Sequence, residues 1–262
     1  MDWIEVNGTS LRYDIAGHGP TTLVLVHEMG GTLESWEQVL PALSRTRRVV
    51  RYDTRGAGMS EKIRGGVTFD TMAADLIALL DALGIERVAL AGCAVGGGIV
   101  LHTAARFPAR VRAVVAMGPA IGVAPDRRAA TIARAEAIER LGPAGVIEES
   151  FAASYPSEVR HDAEQYRRFR ARWLANDPES YGAIYRMLVE ARVTEELPKI
   201  ACPALLLAGT HDRLRPPTMV EPLAAAMPNA RFLALDTGHF MSVQTPGIVA
   251  DAISGFLAEL KL

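Results

Sequence analysis

A histidine and an aspartate in the last quarter of the chain each follow a short apolar run. Asp212 comes after residues 204–208, and His239 comes after residues 232–235. A neutral imidazole is suited to accept a proton near neutral pH, and a carboxylate beside it fixes its orientation. Parallel strands place their ligand crevice beyond their carboxyl ends, so we expect the two side chains to meet there. The pair predicts general-base chemistry.

A third segment has the pattern of a nucleophile elbow. In Gly92-Cys93-Ala94-Val95-Gly96, small residues lie two positions before and after the centre, as in G-x-S-x-G, where a strand, a sharp turn and a helix present one side chain. Ala94 occupies the place of the serine, and a methyl group cannot attack a carbonyl. Two interpretations stay open: a serine replaced to hold a substrate intact, or a natural change to other chemistry.

Cys93 is the nearest alternative nucleophile. Centring the turn on it would put the β-branched Val95 at a flanking position that needs a small residue. Its side chain would also point away from the pocket. We therefore predict that Cys93 is not the nucleophile.

The loop after an earlier apolar run, His27-Glu28-Met29-Gly30-Gly31, is placed to supply a backbone N–H to an oxyanion hole. Glu28 is unexpected there. A carboxylate beside an oxyanion hole opposes the developing negative charge unless it is protonated or turned aside.

The secondary-structure elements that must position these residues follow an alternating pattern of predicted strands and helices. Asn7-Gly8 predicts a hairpin turn at the start of the chain. Val- and Leu-rich runs, typical of strands buried on both faces, alternate with helical periodicity, and this predicts a mostly parallel central sheet flanked by helices. The predicted core strands are 22–27, 49–53, 88–91, 111–117, 204–208 and 232–235.

One segment of the sequence departs from this alternation of strands and helices. Residues 120–196 contain helical segments and turn signals but no strand-like run, which predicts a helical cap inserted into the sheet. The core would then comprise residues 1–119 and 197–262, within a single structural domain. Trp173 and Tyr185 of the cap are candidates to line the pocket, although packing within the cap explains them equally well.

The composition of the chain limits which kinds of binding partner are expected. A formal net charge of −2 gives no electrostatic reason to expect nucleic acid or an anionic membrane, and no apolar run reaches membrane-spanning length. Two cysteines form neither a disulfide framework nor a metal-ligand spacing. We expect a cytoplasmic enzyme with a small-molecule substrate, no metal and no cofactor; the oligomeric state, including a homo-oligomer, stays open.

These motifs, in this order, resemble the α/β-hydrolase superfamily and, within it, the 3-oxoadipate enol-lactonase-like group. The segments 51–60, Gly209-Thr210-His211-Asp212 and Gly238-His239 carry the second resemblance. The resemblance implies that position 94 is the nucleophile site, His239 the base and Asp212 its orienting acid. It also implies that the N–H groups of Met29 and Val95 form the oxyanion hole. Glu28, where members of the group usually carry a small residue, and Gly30 are further candidates to line the substrate site.

The function expected from this resemblance is hydrolysis of a small ester or enol-lactone. A serine at position 94 would give an acyl-enzyme, whereas the chain as it stands leaves attack to water activated by His239. Two alternatives stay open. One is non-covalent proton transfer by Glu28 and His239, as in a C–C hydrolase, a decarboxylase or a lyase. The other is a ligand-binding protein without catalysis.

Overall fold

An eight-stranded sheet forms the centre of the computed structural model, which describes residues 1–262. The strands are β1 (Asp2–Val6), β2 (Thr9–Ala16), β3 (Thr22–Val26), β4 (Arg48–Tyr52), β5 (Val88–Cys93), β6 (Val111–Met117), β7 (Ala204–Gly209) and β8 (Ala230–Leu235). Their order is β1-β2-β4-β3-β5-β6-β7-β8. The β1–β2 and β2–β4 pairs are antiparallel, and all other neighbours are parallel. The predicted mostly parallel sheet is confirmed.

Ten α-helices accompany the sheet. They are α1 (Leu40–Leu43), α2 (Phe69–Ala82), α3 (Val95–Arg106), α4 (Arg128–Leu141), α5 (Ile147–Ser154), α6 (Ala163–Leu174), α7 (Pro178–Glu190), α8 (Pro217–Ala225), α9 (Met241–Gln244) and α10 (Pro246–Glu259). Short 3-10 helices lie at Leu33–Trp36, Pro125–Arg127, Pro143–Gly145, Ser157–Val159 and Val193–Lys199. None of the helices has the length and apolar character needed to cross a membrane.

The alternation of side chains along each strand divides the core between the two faces of the sheet. Val24 and Val26 of β3 pack with α2, α3 and α8, whereas Leu23 and Leu25 pack with α1 and α10. All four side chains are fully buried. This two-sided burial explains why β3 reads as a continuous apolar run.

The first two strands form the hairpin predicted from Asn7-Gly8. Val6 pairs with Thr9, and both turn residues have positive φ, 48° for Asn7 and 69° for Gly8. This conformation is the one that a two-residue hairpin turn requires.

The prediction that residues 232–235 form a strand buried on both faces is wrong about burial. The strand is present as β8, but it pairs only with β7 and lies at the edge of the sheet. Leu233 is 43% exposed, and Arg231 reaches Glu259 of α10 at 2.8 Å. An apolar run alone does not distinguish an edge strand from a central one.

Between β6 and β7 the chain forms only helices, from Pro125 to Lys199. An aromatic cluster joins α5, α6 and α7 to the loop after β8; it includes Phe151, Tyr155, Phe169, Trp173, Tyr181 and Phe240. The strong contact between α4 and α7 completes the packing of this helical segment. The exact division into 1–119, 120–196 and 197–262 stays a prediction.

Candidate active site

Ala94 lies at the turn between β5 and α3 with φ 50° and ψ −113°. This conformation is rare for any residue with a Cβ, and it persists only where the surroundings hold it. Its N–H donates to the carbonyl of Met117 at 2.8 Å, and its carbonyl accepts from the N–H groups of Gly98 and Ala120 at 3.1 and 2.9 Å. The turn therefore keeps its strained geometry although the side chain is a methyl group.

The two glycines of the motif are required by close backbone approach. A Cβ on Gly92 would clash with the carbonyl of Gly96, and a Cβ on Gly96 would clash with the carbonyls of Val26 and His27. The helix can begin directly against the ends of β3 and β5 only because both positions lack a side chain.

Asp212 and His239 meet as the sequence predicts. His239 Nδ1 donates to Asp212 Oδ2 at 2.7 Å, and both residues are buried. Gly118, which directly follows the Met117 that binds Ala94, leaves room for the pair, since a Cβ there would lie 3.2 Å from Asp212 Oδ2. With Nδ1 as the donor, Nε2 of the imidazole keeps its lone pair.

Asp212 is well supplied with donors. Its Oδ1 accepts from the N–H groups of Leu214 and Arg215 at 2.8 and 2.9 Å. Burial opposes ionisation of this carboxyl, but the attraction to His239, its hydrogen bond and the two backbone donors outweigh burial and lower the pKa of Asp212. A role as helix cap does not apply, because α8 has Pro216 at its N-cap.

Two backbone N–H groups near Ala94 remain free. Val95 is the first residue of α3, and Met29 lies in the loop after β3; neither N–H donates to another residue. Free amides at a helix start and on a neighbouring loop are what a developing oxyanion requires.

Glu28 is completely buried in the same loop. Its Oε1 accepts from Ser35 Oγ at 2.6 Å, whereas Oε2 has no hydrogen-bond partner. Ser35 was not singled out from the sequence, and no sequence signal connects it with Glu28.

The Cys93 side chain lies against the loop that carries His239. Its Sγ donates to the carbonyl of His239 at 3.3 Å, and the side chain is fully buried. Burial raises the pKa of the Cys93 thiol well above its usual range, and the carboxylate of Glu28 adds to the effect. A thiol in such surroundings is a poor nucleophile.

The two candidate residues of the cap occupy different surroundings. Trp173 is buried against the loop after β3 that contains Met29 and Gly30. A Cβ on Gly30 would clash with the indole of Trp173. The Tyr185 hydroxyl accepts from Arg134 Nε at 3.0 Å within the cap. Trp173 is therefore in direct contact with the loop of Met29, whereas Tyr185 is held within the helical segment.

Two further contacts join the cap to the site, and sequence reasoning missed both. Asn176 Nδ2 donates to the carbonyl of Gly30 at 3.0 Å. The carbonyl of Ser154, the last residue of α5, accepts from the N–H of His239 at 3.3 Å and from Gln244 Nε2 at 2.9 Å. The cap thus hydrogen-bonds to the backbone of two loops, the one that contains Gly30 and the one that contains His239.

A surface groove of about 930 Å³ lies elsewhere, and none of Ala94, Asp212 and His239 lines it. His102 is buried at its wall between Glu196 and Asp70, at 2.6 and 3.2 Å. These contacts connect α3 with α2 and with the 3-10 helix that precedes β7.

Comparison with known proteins agrees with this architecture. Residues 21–139 match the family model described as alpha/beta hydrolase fold. The chain is 32% identical to a putative carbamate hydrolase RutD of Stutzerimonas stutzeri, over 95% of this chain and 97% of that protein. It is 27% identical to 3-oxoadipate enol-lactonase 1 of Acinetobacter baylyi, over 97% and 95%. A thermophilic esterase from Thermogutta terrifontis superposes with a TM-score of 0.93 at 27% identity, covering 99% of both chains.

The chain therefore belongs to the α/β-hydrolase family, a class of hydrolytic enzymes. The resemblance to enol-lactonases noted in the sequence is confirmed.

Proposed function

We propose that the protein hydrolyses a small ester or enol-lactone and that His239 activates the attacking water. The observation that carries this proposal is the buried Asp212–His239 pair beside a turn that keeps the geometry of a nucleophile elbow. Because Ala94 lacks a nucleophilic atom, water itself must attack the carbonyl carbon. The reaction then passes through no covalent intermediate with the protein.

In this mechanism, Nε2 of His239 accepts a proton from water as its oxygen attacks the carbonyl carbon. The carbonyl oxygen becomes negatively charged and is stabilised by the N–H groups of Met29 and Val95. The imidazolium, held by Asp212, then gives its proton to the leaving alkoxide or enolate as the acyl bond breaks. The protein returns to its starting state with an acid and an alcohol or enol as products.

The relatives support the substrate class: their names describe an esterase, an enol-lactonase and a putative carbamate hydrolase. With serine at position 94, the same residues would carry the two-step route through an acyl-enzyme.

A second candidate is favoured by the buried position of Glu28. Its carboxyl and the imidazole of His239 would then move protons without any acyl intermediate, in C–C cleavage, decarboxylation or lyase chemistry. In that case turnover of the natural substrate would depend on Glu28 as strongly as on His239.

The test is turnover of a panel of small esters and lactones by the unaltered chain and by His239→Ala. We expect slow hydrolysis that His239→Ala lowers by about 10²-fold or more, the contribution typical of a general base. His211→Ala is the matched control, because His211 binds Asp236 at 2.8 Å on the surface and should leave the rate unchanged. Equal rates for the chain and His239→Ala would refute the proposal, and tight binding without turnover would favour a binding protein.

A further inference from the structure

Gln244 contacts the backbone on both sides of His239. It is the last residue of α9 and is buried. Its N–H donates to the carbonyl of Phe240, the residue after His239, at 2.9 Å. Its side-chain amide lies against Gly238, the residue before His239, since a Cβ there would lie 2.7 Å from Gln244 Oε1. Gln244 therefore closes the short turn that carries the imidazole.

The amide of Gln244 also shares an acceptor with His239. Nε2 donates to the carbonyl of Ser154 at 2.9 Å, and the N–H of His239 donates to the same oxygen at 3.3 Å. A carbonyl oxygen has two lone pairs and can accept both bonds. The bond from Gln244 is the shorter of the two, so that it holds the oxygen which the longer bond of His239 must reach.

The other end of this amide has no partner. Gln244 Oε1 is buried and accepts no hydrogen bond from the chain. A buried amide with one unsatisfied end costs stability, and an apolar side chain of similar size would fill the space without that cost. Packing alone therefore does not explain a glutamine at this position, whereas the bond to Ser154 does.

The direction of the imidazole depends on the backbone that these contacts hold. Asp212 binds Nδ1 at 2.7 Å, so a rotation of the His239 peptide turns the ring about that bond and changes where Nε2 points. The carbonyl of His239 accepts from the thiol of Cys93 at 3.3 Å, and a thiol is a weak donor. The bond to Ser154 is thus the stronger of these two restraints on the peptide.

We infer that Gln244 is a positioning residue for His239. By fixing the carbonyl of Ser154, it holds the peptide of His239 and aims Nε2 at the attacking water. The inference rests on the proposed hydrolysis for the role of His239 as the base. Its first test observes the histidine itself, so that a failure here is distinguishable from a failure of the proposed reaction.

The first test is the proton NMR signal of the His239 Nδ1–H, which reports the bond to Asp212 and requires no turnover; His239→Ala assigns it. Gln244→Met keeps the length of the side chain without a donor for Ser154. We expect the signal to shift or broaden, because the ring then adopts more than one orientation. Gln244→Asn withdraws the amide by one methylene group and should act in the same way.

An unchanged signal in either variant, folded as judged by circular dichroism, would overturn the inference. Failure of both Gln244→Met and Gln244→Asn to fold would also overturn it, because Gln244 would then serve the fold as a whole.

Gln165→Met is the matched control. Gln165 Nε2 also joins the cap to α9 by donating to a backbone carbonyl, that of Val243, but this bond involves neither Ser154 nor His239. The variant should leave the Nδ1–H signal unchanged. A shift equal to that of Gln244→Met would show that any lost bond between the cap and α9 disturbs the histidine, and it would contradict a specific role of Gln244.

The kinetics of ester hydrolysis supply a second readout. Gln244→Met should lower kcat by about 10- to 100-fold, the effect of a misplaced catalytic group, and leave KM within about twofold. The loss falls on kcat because Gln244 acts through His239. An unchanged kcat, or a raised KM at constant kcat, would contradict the positioning role. If the unaltered chain hydrolyses no ester, the proposed reaction fails, and the NMR signal alone decides whether Gln244 holds His239.

Discussion

Two buried carboxyl groups at the same end of the sheet differ in how completely the chain satisfies them. Asp212 accepts hydrogen bonds from His239, Leu214 and Arg215. Glu28 accepts one from Ser35 and leaves Oε2 without a partner. The hydrogen bonds of Asp212 are complete within the chain, whereas the carboxyl of Glu28 keeps one buried oxygen without a partner. Two carboxyl groups that share burial and position in the fold thus differ in their hydrogen-bonding environment, and only Asp212 contacts the imidazole of His239.

The largest expected effect, on the rate of ester hydrolysis, comes from adding a nucleophile next to the Asp212–His239 pair. Ala94→Ser places a hydroxyl on a Cβ that the turn already holds, within a site that has its base and acid. Hydrolysis of p-nitrophenyl acetate should rise on the order of 10³-fold or more, with a burst of nitrophenol, because the members of such a triad act as a unit. The measurement is stopped-flow absorbance, with mass spectrometry of the acyl-enzyme.

Cys93→Ala in the same background is the control and should change the rate little, because Cys93 faces the carbonyl of His239. A folded Ala94→Ser protein without a burst would show that the Asp212 side is not a working hydrolytic site.

A smaller effect concerns stability in acid. The pKa of Asp212 is lower in the folded protein than in the unfolded chain, so the unfolded chain binds the proton more readily. The stabilisation is present above the unfolded pKa and is lost as the pH falls through the folded pKa. Asp212→Asn should lower the free energy of unfolding at neutral pH by about 1–3 kcal/mol and weaken its decline in acid. Urea unfolding across the acid range measures both, and an unchanged acid slope would contradict the assignment.

The smallest effect is expected for the incomplete side. Glu28→Gln retains an acceptor for Ser35 and again leaves one buried polar group without a partner. The free energy of unfolding should therefore change by less than about 1 kcal/mol, measured by urea unfolding beside Asp212→Asn. A loss of several kcal/mol would mean that Glu28 serves the fold as Asp212 does, and the contrast between the two carboxyls would disappear.

The sequence predicted the features that depend on local pattern. The glycines around Ala94, the order of Asp212 and His239, and the alternation of strands and helices all follow from short-range requirements of backbone and burial. The edge position of β8 was missed, because its composition is that of a central strand. The bond between Ser35 and Glu28 was missed because it joins residues that no periodicity relates.

The contact between Ser154 and His239 has a consequence for how the cap and the catalytic pair move. The end of α5 holds the backbone N–H of the histidine whose side chain binds Asp212. Any movement of α5 away from this loop must break the bond or displace the peptide of His239. A displacement of α5 would therefore also disturb the imidazole that Asp212 orients, so the position of this cap helix and the geometry of the Asp212–His239 pair are coupled.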